Sequence, residues 1–213
     1  MGLQRRTFLS VAGASVAATA GCLGILSGTT TFEAEKAFTD ESVASSESYQ
    51  QQEPTKQSAE RTFSAAGQEK TVQVVNWVTE YYKTVDIPVL EDQRAAVFAT
   101  VSTPQVNVLG KSFNPVGDAT EVDIARRFQS QYSGFAVGDR VSRQDVSTLG
   151  TTASTSRFEG TATLNGRQVD VYVFVTESIE HADDHVVALG VYPQEIDEEA
   201  AMLSMIENLV HPA

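Results

Sequence analysis

Residues 157–176, RFEGTATLNGRQVDVYVFVT, carry the strongest local folding signal in the chain. Two alternating runs flank Asn165-Gly166, and the second run has a valine at every other position from 169 to 175. Asn-Gly suits the tightest hairpin turn, because both central residues of a type I′ turn need a positive φ. The stretch therefore predicts an antiparallel hairpin with one apolar face.

Strand signals recur on both sides of this hairpin. β-Branched and aromatic residues favour a pleated, half-buried surface, and they predict five further strands. These are Phe32–Ala37, Arg61–Ala65, Thr71–Val85, Ala95–Ser102 and Val186–Tyr192. The polar stretch Asp40–Gln52 predicts a short helix or a loop, and the Asn-Pro and Gly of Phe113–Asp118 predict a loop.

Two segments have a helical period instead. In the first, Asp118 and Glu121 have capping-box spacing, and an apolar stripe follows that consists of Ile124, Ala125, Phe128 and Tyr132. The second, about Asp197–Val210, begins with acids that suit the helix dipole and presents Met202, Met205, Ile206, Leu209 and Val210 on one side. The combination predicts an α+β fold, an antiparallel β-sheet packed by a few helices including a C-terminal helix. We expect a single globular domain over residues 32–213.

The N-terminus has the pattern of an export signal. Arg5 and Arg6 precede an uncharged, weakly apolar run, and the only cysteine of the chain, Cys22, follows small residues. This order is typical of a twin-arginine signal peptide with a lipobox, in which the cysteine is lipidated after cleavage. We expect residues 1–21 to be the signal peptide, Cys22 to carry the lipid, and residues 22–31 to form a flexible tether.

An alternative keeps this segment in place as an uncleaved membrane helix. Thr7–Gly28 has no charge and is long enough to span a bilayer, although it is rich in small residues. In both cases the arginine pair stays in the cytoplasm by the positive-inside rule. The domain is therefore expected at the outer face of the cytoplasmic membrane.

The chain is strongly acidic. It has 15 basic and 28 acidic residues. Removing residues 1–21 removes Arg5 and Arg6 and no acid, so the mature charge is −15. Nucleic acid is not an expected partner, because phosphate binding needs a basic patch. The membrane, through the lipid on Cys22, is the expected partner, together with a protein or small molecule that the sequence does not identify.

One segment has the composition of a metal site. Glu180–His185 contains His181, Asp183, Asp184 and His185, side-chain types that bind divalent cations. A solvated turn between two strands is the simpler interpretation, because chelation at this spacing needs a helix. The third histidine, His211, stands beside the penultimate proline and is expected at a frayed end.

Catalytic signatures are missing from the sequence. Gly110-Lys111-Ser112 resembles the end of a phosphate loop, but Gln105 stands where the loop needs glycine. We therefore expect a non-enzymatic binding or scaffolding domain without a cofactor. A metal-binding protein or metal-dependent enzyme that uses the His181–His185 cluster is the alternative.

Two further groups have a structural and a functional interpretation. Trp77, Tyr81 and Tyr82 are expected to pack on the sheet, with a stacking platform for a ligand as the alternative. Arg126 and Arg127 are expected on a solvated helix face, with contact to an anionic ligand as the alternative.

The chain as a whole resembles a family of haloarchaeal exported lipoproteins whose domain has no assigned function. The resemblance is carried by Arg5-Arg6 with Cys22, by Thr62–Trp77, by Thr103–Gly117 and by Val186–Pro193 with the helix that follows. It implies export and anchoring but brings no catalytic or binding residues. The C-terminal order of three strands and a helix is also similar to α/β modules of photosystem and nuclear-transport accessory proteins, a likeness of fold alone.

The charge balance predicts a fold that needs salt. At about 0.1 M salt the Debye length is ~10 Å, so acids across the surface repel one another, whereas at about 1 M it is ~3 Å. We expect the melting temperature to rise as KCl increases from tenths of molar to several molar. Sulfate is the comparison salt, because it also strengthens apolar burial. A melting temperature that stays constant in KCl would contradict this prediction.

Overall fold

A computed structural model describes residues 29–65, 68–85, 93–108, 111–112, 116–117, 119–131, 134–164 and 166–212. The helices are α1 (Glu41–Ser46), α2 (Glu121–Gln131) and α3 (Glu199–Glu207). The strands are β1 (Thr30–Glu33), β2 (Phe38–Thr39), β3 (Gln50–Gln51), β4 (Thr55–Ala65), β5 (Gln68–Val85), β6 (Gln93–Pro104), β7 (Asn107–Val108), β8 (Lys111–Ser112), β9 (Phe135–Thr148), β10 (Thr151–Leu164), β11 (Arg167–Thr176), β12 (Ile179–His181), β13 (Asp184–Pro193) and β14 (Leu209–Val210).

One large sheet organises the described residues. Its main path runs β1, β5, β6, β13, β11, β10, β9, while β3 and β4 pair with β5 and β12 pairs with β13. All these pairs are antiparallel except β1 with β5, so the expected antiparallel sheet is in fact mixed. The α+β class and the C-terminal helix are confirmed. β6 ends at Pro104, and beyond that point β1 pairs with the same edge of β5.

The predicted hairpin is present. β10 and β11 pair from Leu164↔Arg167 to Thr155↔Thr176, and Gly166 has a φ of 77°. A second hairpin, absent from the prediction, joins β9 to β10 through Leu149 and Gly150, both with positive φ. The sequence FAVGDRVSRQDVST of β9 lacks regular alternation, and its side chains are largely exposed, which is typical of an edge strand.

The helices cover opposite faces of the sheet. Because side chains alternate along a strand, β13 directs Val187 and Leu189 to one face and Ala188 and Gly190 to the other. Met202 of α3 packs directly against Gly190. On the other face, α2 lies beside Leu189. With both faces covered, β13 is apolar from Val186 onward, and its residues from Val186 to Gly190 are all buried.

Side-chain caps set where α1 and α2 begin. Asp40 Oδ1 accepts hydrogen bonds from the backbone N–H groups of Ser42, at 2.9 Å, and Val43, so it caps α1. At α2 the capping box consists of Thr120 and Asp123: the Asp123 backbone N–H donates to the Thr120 hydroxyl oxygen at 3.3 Å, and the Thr120 backbone N–H donates to Asp123 Oδ2 at 3.2 Å. The expected pair was Asp118 and Glu121, and Asp118 lies outside the described residues. Glu121 is buried and has a different role, described below.

The structure gives several elements different first or last residues from those predicted. α3 is shorter than Asp197–Val210, because Leu209 and Val210 leave the helix and pair with β2 as β14. β1 begins at Thr30, inside the range expected to be a tether, and the signal peptide and Cys22 lie outside the described residues. Within the described ranges no helix combines the length and apolarity that a membrane span requires.

The contact between β13 and α3 gives a stability prediction. A Cβ at Gly190 would overlap the Met202 sulfur, and Met202 is fully buried, so Gly190→Ala should lower the free energy of unfolding by about 1–3 kcal/mol. Urea unfolding in molar KCl measures the change. In a Met202→Ala background the added methyl has room, so Gly190→Ala should lower the free energy of unfolding by a smaller amount. If Gly190→Ala lowers the free energy of unfolding equally in both backgrounds, the contact between Gly190 and Met202 is not what makes the substitution destabilising.

Candidate functional site

A cavity of about 520 Å³ lies between the sheet and α2, and we call it the sheet cavity. Its floor comes from β5, β6 and β13. The helix α2 packs on the neighbouring strands β9, β10 and β11 and forms a side wall of the cavity. The registers Val78↔Val101↔Val187 and Glu80↔Ala99↔Leu189 place these side chains in rows across three strands. The apolar lining consists of Val78, Val97, Ala99, Val101, Val116, Ile124, Phe128, Phe135, Ala162, Val187, Leu189 and Val191.

A few polar side chains interrupt this lining. Thr103 donates to Asn76 Oδ1 at 2.6 Å, and the hydroxyl of Tyr82 donates to Glu80 Oε2 at 2.7 Å. Arg127 of α2 also borders the cavity and is exposed. An apolar wall with a small number of oriented polar groups is the usual composition of a small-molecule site.

The wall that α2 provides is fixed by a buried carboxylate. Glu121 accepts a hydrogen bond from Arg143 Nε of β9 at 2.9 Å and another from Ser156 of β10 at 3.3 Å. Burial raises the pKa of Glu121, but the hydrogen bonds and the charge of Arg143 outweigh burial, so the pKa lies below its usual value. Phe128 packs edge-on against Phe135, with ring centroids 5.1 Å apart.

A second polar cluster lies on the opposite face, where β6 ends and β13 begins. Asp184 Oδ2 lies 3.0 Å from His211 Nε2 and accepts the backbone N–H of Glu35 at 2.7 Å. The hydroxyl of Ser102 lies 3.3 Å from the same His211 nitrogen. His211 Nδ1 in turn lies 3.0 Å from His181 Nδ1.

These contacts differ from those of a catalytic triad. In a triad the serine and the carboxylate contact different nitrogens of the imidazole. Here Ser102 and Asp184 both approach His211 Nε2, and Ser102 is fully buried. The cluster therefore lacks the geometry of an activated serine nucleophile.

The predicted metal residues are divided between two faces. Asp184 contacts His211, whereas His185, the next residue of β13, points to the other face and lies 3.4 Å from the hydroxyl of Ser178. Asp183 is exposed in the turn before β13. Among the residues that the structure describes, no three His, Cys, Asp or Glu side chains are arranged to hold a metal ion.

The expectation for His211 was wrong. Its side chain is fully buried instead of frayed, because the pairing of β14 with β2 carries the C-terminal segment back onto the sheet. No local pattern around His211 predicts this contact, because Asp184 and His181 lie about 30 residues away in sequence. Its recognition requires the tertiary fold.

The aromatic residues of β5 are also divided by alternation. Tyr81 is fully buried, and its hydroxyl accepts the backbone N–H of Thr39 at 2.9 Å. Trp77 lies on the same face, with the ammonium groups of Lys36 and Lys56 at 4.3 Å and 4.8 Å from its ring centroid. Tyr82 lies on the cavity face. The three rings therefore form no common platform, in agreement with the expectation of sheet packing.

Comparison with known proteins gives a distant structural similarity and a family. No curated protein matches the chain. The solution structure of cyanobacterial PsbP (CyanoP) from Synechocystis sp. PCC 6803 is similar over 91% of this chain and 99% of that chain, with 8% identity and a TM-score of 0.37. The family described as a domain of unknown function, DUF6517, matches residues 36–210. This match covers α1, α2, α3 and the large sheet except β1, and it ends one residue before His211. The chain therefore belongs to the DUF6517 family.

Proposed function

We propose that this protein is an exported, lipid-anchored and non-enzymatic binding domain at the outer face of the cytoplasmic membrane. Its ligand is a small amphipathic molecule with an apolar body, held in the sheet cavity. The observation that carries the proposal is the cavity itself, whose volume of about 520 Å³ falls within the ~300–1,000 Å³ typical of ligand pockets.

The lining favours an apolar body over a charged one. Every apolar Å² that a ligand buries against the valines and Leu189 is favourable by about 25 cal/mol. A charged ligand would lose its hydration on entering the cavity, which costs free energy unless a group of opposite charge compensates. Among the described residues that line the cavity, the charged side chains are Glu80 and Arg127. The pairs Asn76–Thr103 and Glu80–Tyr82 supply hydrogen-bonding groups that can orient one polar end of the ligand.

The placement at the membrane rests on the N-terminal sequence. Arg5, Arg6 and Cys22 have the order of a twin-arginine signal with a lipobox. Two lipid chains on Cys22 would anchor the protein stably, since one chain binds only marginally. The acid excess and the resemblance to haloarchaeal lipoproteins support the same proposal, with a salt-adapted surface.

Filling the cavity should abolish ligand binding. Ala99 lies in the cavity floor, so Ala99→Phe should weaken binding of the neutral fluorescent hydrophobe Nile red about tenfold or more. Val97→Phe is a second variant of the same kind. Ala136→Phe, on the exposed strand β9, is the matched control and should bind as the wild type does. Fluorescence titration in molar KCl measures the affinity, and circular dichroism checks folding.

Two results would contradict the cavity proposal. One is an unchanged affinity in folded Ala99→Phe and Val97→Phe. The other is an equal loss in Ala136→Phe, which would place the hydrophobe on the outer surface. Solvent extraction and mass spectrometry of the protein purified from its own membrane then identify the natural ligand.

Export and anchoring have a separate test. We expect Arg5→Lys with Arg6→Lys to leave the precursor in the cytoplasm. Intact mass of the wild-type membrane protein should show loss of residues 1–21 and addition of lipid, and Cys22→Ser should carry no lipid. If the wild type and Cys22→Ser both retain residues 1–21 and stay in the membrane equally, the anchor is the uncleaved helix and not the lipid.

A further inference from the structure

The histidine cluster on the face opposite the sheet cavity is assembled from three parts of the chain. His181 ends β12, Asp184 begins β13, and His211 follows β14. The pairing of β14 with β2, at Leu209↔Thr39 and Val210↔Phe38, fixes the segment that carries His211. The two imidazole rings meet edge to face, with ring centroids 5.2 Å apart.

The carboxylate of Asp184 determines which nitrogen of His211 carries the proton. Asp184 Oδ2 lies 3.0 Å from His211 Nε2, and an ionised carboxylate only accepts hydrogen bonds, so Nε2 is the donor. In the neutral ring Nδ1 is then the acceptor, and His181 Nδ1 donates the hydrogen bond that joins the two rings. Metal-ligating histidines are oriented in this way, with the second ring N–H donated to a carboxylate.

Asp184 is itself held in place. It is buried, and its Oδ2 accepts the backbone N–H of Glu35 at 2.7 Å. The neighbouring Ser102 hydroxyl lies 3.5 Å from the same oxygen. A carboxylate fixed by backbone and side-chain donors is the kind of outer partner that orients a ligating imidazole.

The separation of the two Nδ1 atoms is close to that of two ligands of one metal ion. Two nitrogens bound to a tetrahedral Zn²⁺ at ~2.0–2.1 Å lie about 3.3 Å apart. His181 Nδ1 and His211 Nδ1 lie 3.0 Å apart as a hydrogen-bonded pair, so binding the ion requires His181 to release the proton on Nδ1 and both rings to turn until their lone pairs meet at the ion. His181 is half-buried and offers the route from solvent.

We infer that His181 and His211 bind a single late first-row divalent cation of the Zn²⁺ or Cu²⁺ class, with Asp184 as the orienting outer partner. Imidazole ligands select these cations over Mg²⁺ and Ca²⁺, which prefer oxygen. Because the described residues contribute no third ligand of the His, Cys, Asp or Glu type, water completes the coordination. This set differs from the one predicted from the sequence, since it includes His211 and excludes Asp183 and His185.

Metal titration with matched variants tests the site. The sample is the full chain in detergent, and every variant carries Cys22→Ser so that the thiol binds no metal. The buffer contains molar KCl and excess Mg²⁺, which occupies the acidic surface. Calorimetry should show one Zn²⁺ site. The affinity should fall about tenfold or more in His181→Ala and about 10–100-fold in Asp184→Asn. His185→Ala, one residue along β13 on the opposite face, is the control and should bind as the wild type does.

A second measurement reports the ligands directly. Electron paramagnetic resonance of bound Cu²⁺ should show two coordinating nitrogens in the wild type and one in His181→Ala. His211→Gln provides a second variant if His181→Ala does not fold. Unchanged Zn²⁺ affinity in folded His181→Ala would overturn the inference, and so would wild-type binding that excess Mg²⁺ removes. None of these results depends on the sheet cavity, so they stand apart from the proposed function.

Discussion

The burial of β13 on both faces is the constraint on which the rest of the structure depends. β13 pairs with β6 on one side and β11 on the other, so every alternate side chain must suit one of two different environments. The side chains on the face of Gly190 pack against α3, and those on the face of Leu189 contribute to the cavity floor. A shift by one residue would exchange the two sets, and the register is therefore strongly specified.

Polar contacts from other parts of the chain hold α3 in place at both ends. Near its start, the buried Glu198 accepts hydrogen bonds from Lys83 Nζ at 2.6 Å and from the hydroxyl of Tyr49 at 3.2 Å. Burial, together with the charge of Glu198, raises the pKa of Tyr49, which keeps the phenol protonated as a donor. Near its end, Thr148 and Thr39 donate to backbone carbonyls that the helix itself cannot satisfy, those of Ile206 and Met205.

The sequence allowed the α+β class, the β10–β11 hairpin and the C-terminal helix to be predicted, because each depends on local periodicity or turn chemistry. It did not allow β9 to be predicted, since an exposed edge strand has no apolar alternation to detect. The cavity and the contact of His211 with His181 were also missed. Both arise from pairing between strands distant in sequence, such as Ala99↔Leu189, and no local pattern encodes them.

The two candidate sites share strands but face opposite ways. Thr103 and Ser102 are consecutive in β6, yet Thr103 borders the sheet cavity while Ser102 contacts His211. His185 and Asp184 of β13 are divided in the same way. Coupling between sites requires an element with two arrangements that both ligands bias. β13 is paired on both edges and buried on both faces, so the sheet itself lies between the two candidate sites.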